Sequence, residues 1–142
     1  MLGTLDEKQI DHVLRGETVG RIGVHADGRT YVVPTTYVYD GEAVYAHSAE
    51  GLKIRMMRNS SSVCFEVDRI DDMANWRSVI AWGTYEELSG DIATAAMNLL
   101  RSRLSPLTAS ETAGPAGRAG RDGVEVAYRI WITERTGRYE KR

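Results

Sequence analysis

Two Asp-Gly pairs, Asp27-Gly28 and Asp40-Gly41, each stand between runs rich in β-branched and aromatic residues. Such a pair tolerates the positive φ angles of a two-residue hairpin turn, so the flanking runs are expected to pair antiparallel. The spacing predicts a three-strand meander of Arg21 to Ala26, Arg29 to Tyr39 and Ala43 to Ser48. The stretch YVVPTTYVYDGEAVYAHSAEGLK, Tyr31 to Lys53, says most about chemistry. Its last strand ends in His47 and Ser48, and Leu52, Met56 and Met57 then recur at helical spacing. A polar strand end, a helix start and Lys53 thus come together, which outlines an anion pocket.

The remaining elements follow from the same periodicities. Asp6 to Arg15 reads as a first helix with Ile10, Val13 and Leu14 on one side and Gly16 closing it. Ser62 to Asp68, Arg77 to Glu86 and Glu125 to Thr133 read as further strands, and Asp91 to Leu104 as a helix with Ile92, Ala95, Ala96, Leu99 and Leu100 as its apolar stripe. TASETAGPAGRAGRDG, from Thr108 to Gly123, has little to bury and is expected to be a mobile loop. The fold class is mostly β with inserted helices. Six short antiparallel strands in one domain of 142 residues favour a small barrel, because closure removes exposed edges.

Composition excludes several functions. A net charge of -2, with both signs interspersed, offers no electrostatic footprint for nucleic acid or an anionic membrane. Partners are therefore expected to be a small-molecule substrate or a second copy of the chain. Cys64 is alone, in an apolar strand pattern, and is expected to be a buried packing thiol. No signal-peptide core or membrane-length apolar run is present, so the expected address is the cytoplasm. Three histidines without ligand spacing give no support for a metal site.

Pro34 interrupts the second strand, where it cannot donate to a ladder, so it marks an edge, a bulge or a ligand contact. Around it Tyr31, Thr35 and Tyr37 point one way, and Val32, Thr36 and Val38 the other. Trp82, on a face with Ile80, is expected in the core. Trp76 covers a ligand or ends a loop. Trp131 stands with Arg129 and Thr133 opposite an apolar face of Tyr128, Ile130 and Ile132, a pattern that marks an interface or ligand surface.

GRIGVHADGRTYVVPTTYVYDGEAVYAHSAEGLK, followed by NSSSVCFEVD and WRSVIAWGTYEEL, resembles the pyridoxamine 5′-phosphate oxidase-related flavoproteins, and within them the nitroimidazole-reductase-like branch. The resemblance covers roughly residues 5 to 90 and, more weakly, Val126 to Arg138. It implies an FMN-binding split barrel and a homodimer with the cofactor at the subunit interface. It assigns the flavin phosphate to Ser48 and Lys53, and the ring to Val33, Pro34, Thr35 and Thr36. Arg77 and Ser78 would add contacts, with Trp131 at the dimer interface near the cofactor and His47 beside the flavin as the one candidate catalytic residue. Without the resemblance, Ser48 reads equally as a helix cap, Lys53 as a surface charge and His47 as a packing or surface residue. The implied activity is FMN-dependent reduction of a small electron-poor molecule of nitro or quinone type. The alternatives are a non-catalytic flavin or haem binding protein and a deazaflavin-dependent reductase. SAEGLK and YRIWITE depart from the arginine-rich and tryptophan-arginine-leucine patterns of the oxidases proper, which argues against a vitamin-B6 phosphate substrate.

Overall fold

The computed structural model describes residues 1–108 and 125–142. Eight strands and three helices run in the order β1 (Leu2–Thr4), α1 (Glu7–Gly16), β2 (Val19–Ala26), β3 (Arg29–Thr36), β4 (Val38–Tyr39), β5 (Ala43–Ala49), α2 (Leu52–Asn59), β6 (Ser62–Asp72), β7 (Asn75–Glu87), α3 (Gly90–Thr108) and β8 (Glu125–Glu140). All strand pairs are antiparallel, in the order β3-β2-β6-β7-β8-β5-β4, with β1 on β8. This is the expected split barrel. Eight strands replace the expected six because β1 is added and the second meander strand breaks at Tyr37 into β3 and β4. The expected loop from Thr108 to Gly123 lies outside the described residues except for Thr108, which ends α3.

The two hairpin turns differ in kind. Asp27 and Gly28 both adopt positive φ, 52° and 76°, between the paired residues Ala26 and Arg29. That is the two-residue turn the sequence predicts. At the second hairpin Asp40 N–H bonds the Ala43 carbonyl at 3.2 Å, Gly41 alone has positive φ, and the Asp40 carboxylate accepts from the N–H groups of Glu42 and Ala43. The turn centre is therefore Gly41-Glu42, one residue later than expected, because an aspartate side chain can cap the turn it precedes.

Alternation along the strands fills the barrel. Ile22, Val24, Phe65, Val67, Val79, Ala81, Tyr85, Tyr128 and Ile130 are buried in one core, and α1 closes one end of it with Ile10, Val13 and Leu14. Asp6 caps α1 in a capping box with Gln9. Tyr37 turns inward, donates to the Leu14 carbonyl at 2.6 Å and packs edge-on against Phe65. α3 covers Val38 and Ala127 from outside with Ala96, Leu100 and Leu104, while Ile92 of its expected stripe is exposed.

Two expectations fail on the outer side of the sheet. Trp82 is 39% exposed and Ile80 36%, so they face outward, and the small residues Ala81 and Gly83 take the inner positions. Cys64 lies opposite Trp82 and Gly23 on the same outer face and is only half-buried. Register lines up Val32, Gly23, Cys64 and Trp82 across four strands, with Pro34, Arg21, Glu66 and Ile80 in the next row. An exposed apolar row on a sheet face is the pattern of an unpartnered contact surface.

Candidate functional site

The site begins where a hairpin comes apart. β4 and β5 pair only through Val38 with Tyr45 and Tyr39 with Val44. Beyond Tyr37 the strands part: Thr36, Thr35 and Pro34 pair with Val19, Gly20 and Arg21 of β2, while His47 and Ser48 pair with Ala127 and Val126 of β8. The outer edges of β3 and of the end of β5 therefore have no strand partner and flank one split. Pro34 sits on this edge, where a missing N–H disturbs no further ladder. Thr35 points inward and is buried, with its hydroxyl donating to the Thr36 carbonyl at 3.1 Å. Below it the Tyr128 hydroxyl is buried without a hydrogen-bond partner among the described residues. Burial pushes that phenol up to about 12, with Thr35 acting the other way.

At the other lip, the end of β5 leads through Glu50 and Gly51 into α2. Gly51 is the N-cap and supplies no side-chain acceptor, and Ser48 Oγ donates instead to the Ala49 carbonyl at 2.9 Å. Ser48 is thus not the helix cap, and the first turn of α2 keeps its N–H groups free of side-chain caps. Lys53 stands in that turn, half-buried, with no hydrogen bond or ion pair among the described residues. Burial lowers its pKa from 10.5, and the nearby Glu125 carboxylate partly offsets this. His47, also half-buried, holds Glu125 Oε2 2.7 Å from its Nδ1. A partly desolvated cation beside free backbone N–H groups is an electrostatic demand for an anion.

One chain gathers only part of the expected set. His47, Ser48 and Lys53 come together at one lip of the split, and Val33 to Thr36 form the other. Arg77 and Ser78 lie on β7, three strands from β3 across the sheet, about 14 Å at the usual strand spacing. Arg77 is exposed, and Ser78 donates to Glu66 at 3.2 Å. Trp131 pairs with Ala43 at the start of β5, four residues from the Ala127 that faces His47, or about 13 Å along the strand. Its indole N–H donates to Glu86 at 2.7 Å, and the Arg129 guanidinium lies 4.4 Å from its ring centre. It borders a separate cleft of about 660 Å³ with Tyr39, Glu42, Thr133 and Arg135. Trp76 is half-buried at the start of β7, opposite Glu140 and Ile70. Glu125 was not legible as a site residue, because its place beside His47 depends on the register of β5 with β8. Among the described residues no cluster of His, Cys, Asp or Glu could hold a metal, and no helix is long and apolar enough to cross a membrane.

The chain is similar in structure to a FAD-binding protein from Mesorhizobium loti, with a TM-score of 0.84, 32% identity and coverage of 99% of both chains. A putative 5-nitroimidazole antibiotic resistance protein from Bacteroides thetaiotaomicron shares the fold at a TM-score of 0.70 and 17% identity, covering 98% of this chain and 89% of that one. An uncharacterized protein of Rhizobium meliloti is 29% identical over 84 residues, 59% of this chain, which spans 56% of that relative's length. The sequence model of the pyridoxamine 5′-phosphate oxidase family matches residues 6–139. With the split barrel in place and the match running nearly end to end, the chain belongs to the pyridoxamine 5′-phosphate oxidase family.

Proposed function

We propose that this chain binds FMN in the split between β3 and β5, at the interface of a homodimer, and serves to reduce a small electron-poor molecule of nitro or quinone type. The observation that carries this reading is Lys53, a half-buried cation without an ion pair among the described residues, at the uncapped start of α2. Lys53, the Ser48 hydroxyl and the first-turn N–H groups would hold the phosphate. The unpaired edge at Val33, Pro34, Thr35 and Thr36 offers main-chain groups to a planar, hydrogen-bonding ring. A bound flavin supplies electron transfer between a donor and the substrate. The chain's own part is to orient the ring, limit access, and hold a proton at His47.

A second copy is part of the reading. Arg77, Ser78 and Trp131 stand too far from the split to reach it within one chain, whereas the outer row of Val32, Cys64 and Trp82 offers an apolar surface for a partner. The name of the Mesorhizobium relative favours one other reading, in which FAD places its first phosphate at the same lysine. Mass spectrometry of the cofactor released from purified protein decides between FMN, FAD, a deazaflavin and haem. Reduction of the bound flavin by a nicotinamide donor and its reoxidation by a nitroaromatic or quinone tests the activity. A bound flavin that no donor reduces leaves a binding protein and removes the enzyme.

A further inference from the structure

β5 and β8 lie side by side with His47 opposite Ala127, so Glu125, two positions earlier on β8, shares the face of His47 on the diagonal. Its carboxylate spans that diagonal, placing Oε2 2.7 Å from His47 Nδ1, the length of a charge-assisted hydrogen bond. Among the described residues neither side chain makes another hydrogen bond. The same carboxylate is the negative charge that acts on Lys53.

We propose that Glu125 is a positioning residue for His47: by accepting a hydrogen bond from Nδ1–H it fixes the imidazole tautomer and leaves Nε2 as the nitrogen that takes up or releases a proton at the site. A carboxylate has only acceptors to offer, so the neutral ring must carry its proton on Nδ1 and its lone pair on Nε2. When Nε2 is protonated, the resulting cation keeps its Nδ1–H on Glu125, and the pair gains an ionic component. Proton exchange at Nε2 therefore proceeds without the ring turning over. The functional consequence rests on the reading of His47 beside a bound flavin, whereas the hydrogen bond belongs to the cofactor-free chain.

Nitrogen-15 NMR of histidine-labelled, cofactor-free protein tests this, with the His47 signals assigned by their loss in His47→Gln. In the neutral ring, Nδ1 is expected to carry the proton and Nε2 to be bare. Glu125→Ala should move the population toward the Nε2–H tautomer. Glu125→Asp, one methylene shorter, should do the same if the alanine variant folds poorly. Glu125→Gln carries an amide that can donate as well as accept at the same reach, so it should relax the preference for Nδ1–H rather than hold it. In flavin-loaded protein, Glu125→Ala should lower turnover roughly 10-fold with KM nearly unchanged, less than the 10²-fold or more expected for loss of a proton-transfer group itself. A tautomer that depends on Glu125 in a protein that takes up no flavin supports the positioning role and overturns the flavin reading. A tautomer population unchanged in both Glu125→Ala and Glu125→Asp overturns the proposal.

Discussion

Thr36 and His47 would face each other as cross-strand neighbours if the pairing of Val38 with Tyr45 ran on by two residues, yet Thr36 pairs with Val19 and His47 with Ala127. β3 and β5 part there, and the barrel is open between them. This leaves backbone groups of β3 facing a split whose other lip carries Ser48 and Lys53, and the account of function depends on what fills that split.

Lys53→Ala is expected to weaken FMN binding by about 1.5–3 kcal/mol, the range of a hydrogen bond to a charged group, while leaving riboflavin affinity nearly unchanged. Burial lowers the Lys53 pKa from 10.5, and a bound phosphate favours the charged ammonium. FMN affinity should therefore fall as pH rises through that lowered pKa, starting below the range of an ordinary lysine. Calorimetric titration at several alkaline pH values checks the sign. An affinity that holds steady until an unperturbed lysine titrates would place the phosphate elsewhere.

Placing a charge on the outer face should break the proposed homodimer. Trp82 is 39% exposed and aligned with Val32 and Cys64, so Trp82→Glu would set a carboxylate in the middle of the proposed contact. Light scattering should report the dimer mass for the native chain and half of it for the variant, with a parallel loss of FMN affinity. A variant that stays dimeric would move the interface to another surface.

Glu66 makes stability pH-dependent in an uncommon direction. Partial burial first, then the neighbouring Asp68, raises its pKa from 4.5 to about 7, against the pull of Ser78 and Arg21. The folded chain thus binds a proton more tightly than the unfolded one, so this group costs stability as pH rises from 4.5 to about 7. Thermal melts of Glu66→Gln should match the native chain near about pH 4, below the unfolded-state pKa, and exceed it near about pH 8, since glutamine imitates the protonated form. Equal differences at both values would show that the pair shares its proton in another way.

Gly83 stands where β7 and β8 shift register by a bulge. A Cβ there would collide with the Trp131 carbonyl oxygen, and backbone held in a ladder cannot move aside as a side chain can. Gly83→Ala is expected to destabilise by roughly 1–3 kcal/mol, the usual cost of overpacking, read as a lower denaturation midpoint. An unchanged midpoint would mean that the bulge relaxes freely.

The sequence was informative where one local rule decides the outcome. Asp27-Gly28, α1 with its apolar face, α2 and the alternation from Tyr31 to Thr36 all follow from turn chemistry or periodicity. It was less informative where tertiary geometry chooses between faces. Periodicity puts Ile80 with Trp82 and Ala81 with Gly83 but does not say which pair turns inward; here the interior takes the small pair. β8 continues past Thr133 to Glu140 because β7 and β1 pair with it, although Arg135, Arg138 and Glu140 give it a polar appearance. The partners of His47 and Trp131, Glu125 and Glu86, were hidden for the same reason, since both contacts cross strands distant in sequence.

The most direct test of the central claim is titration of cofactor-stripped protein with FMN and, separately, with riboflavin, followed by flavin fluorescence and absorbance. The account predicts saturable binding of one FMN per chain, markedly tighter than riboflavin, with the difference between the two ligands lost in Lys53→Ala. Absence of saturable FMN binding, or equal affinity for FMN and riboflavin in the native chain, would contradict it.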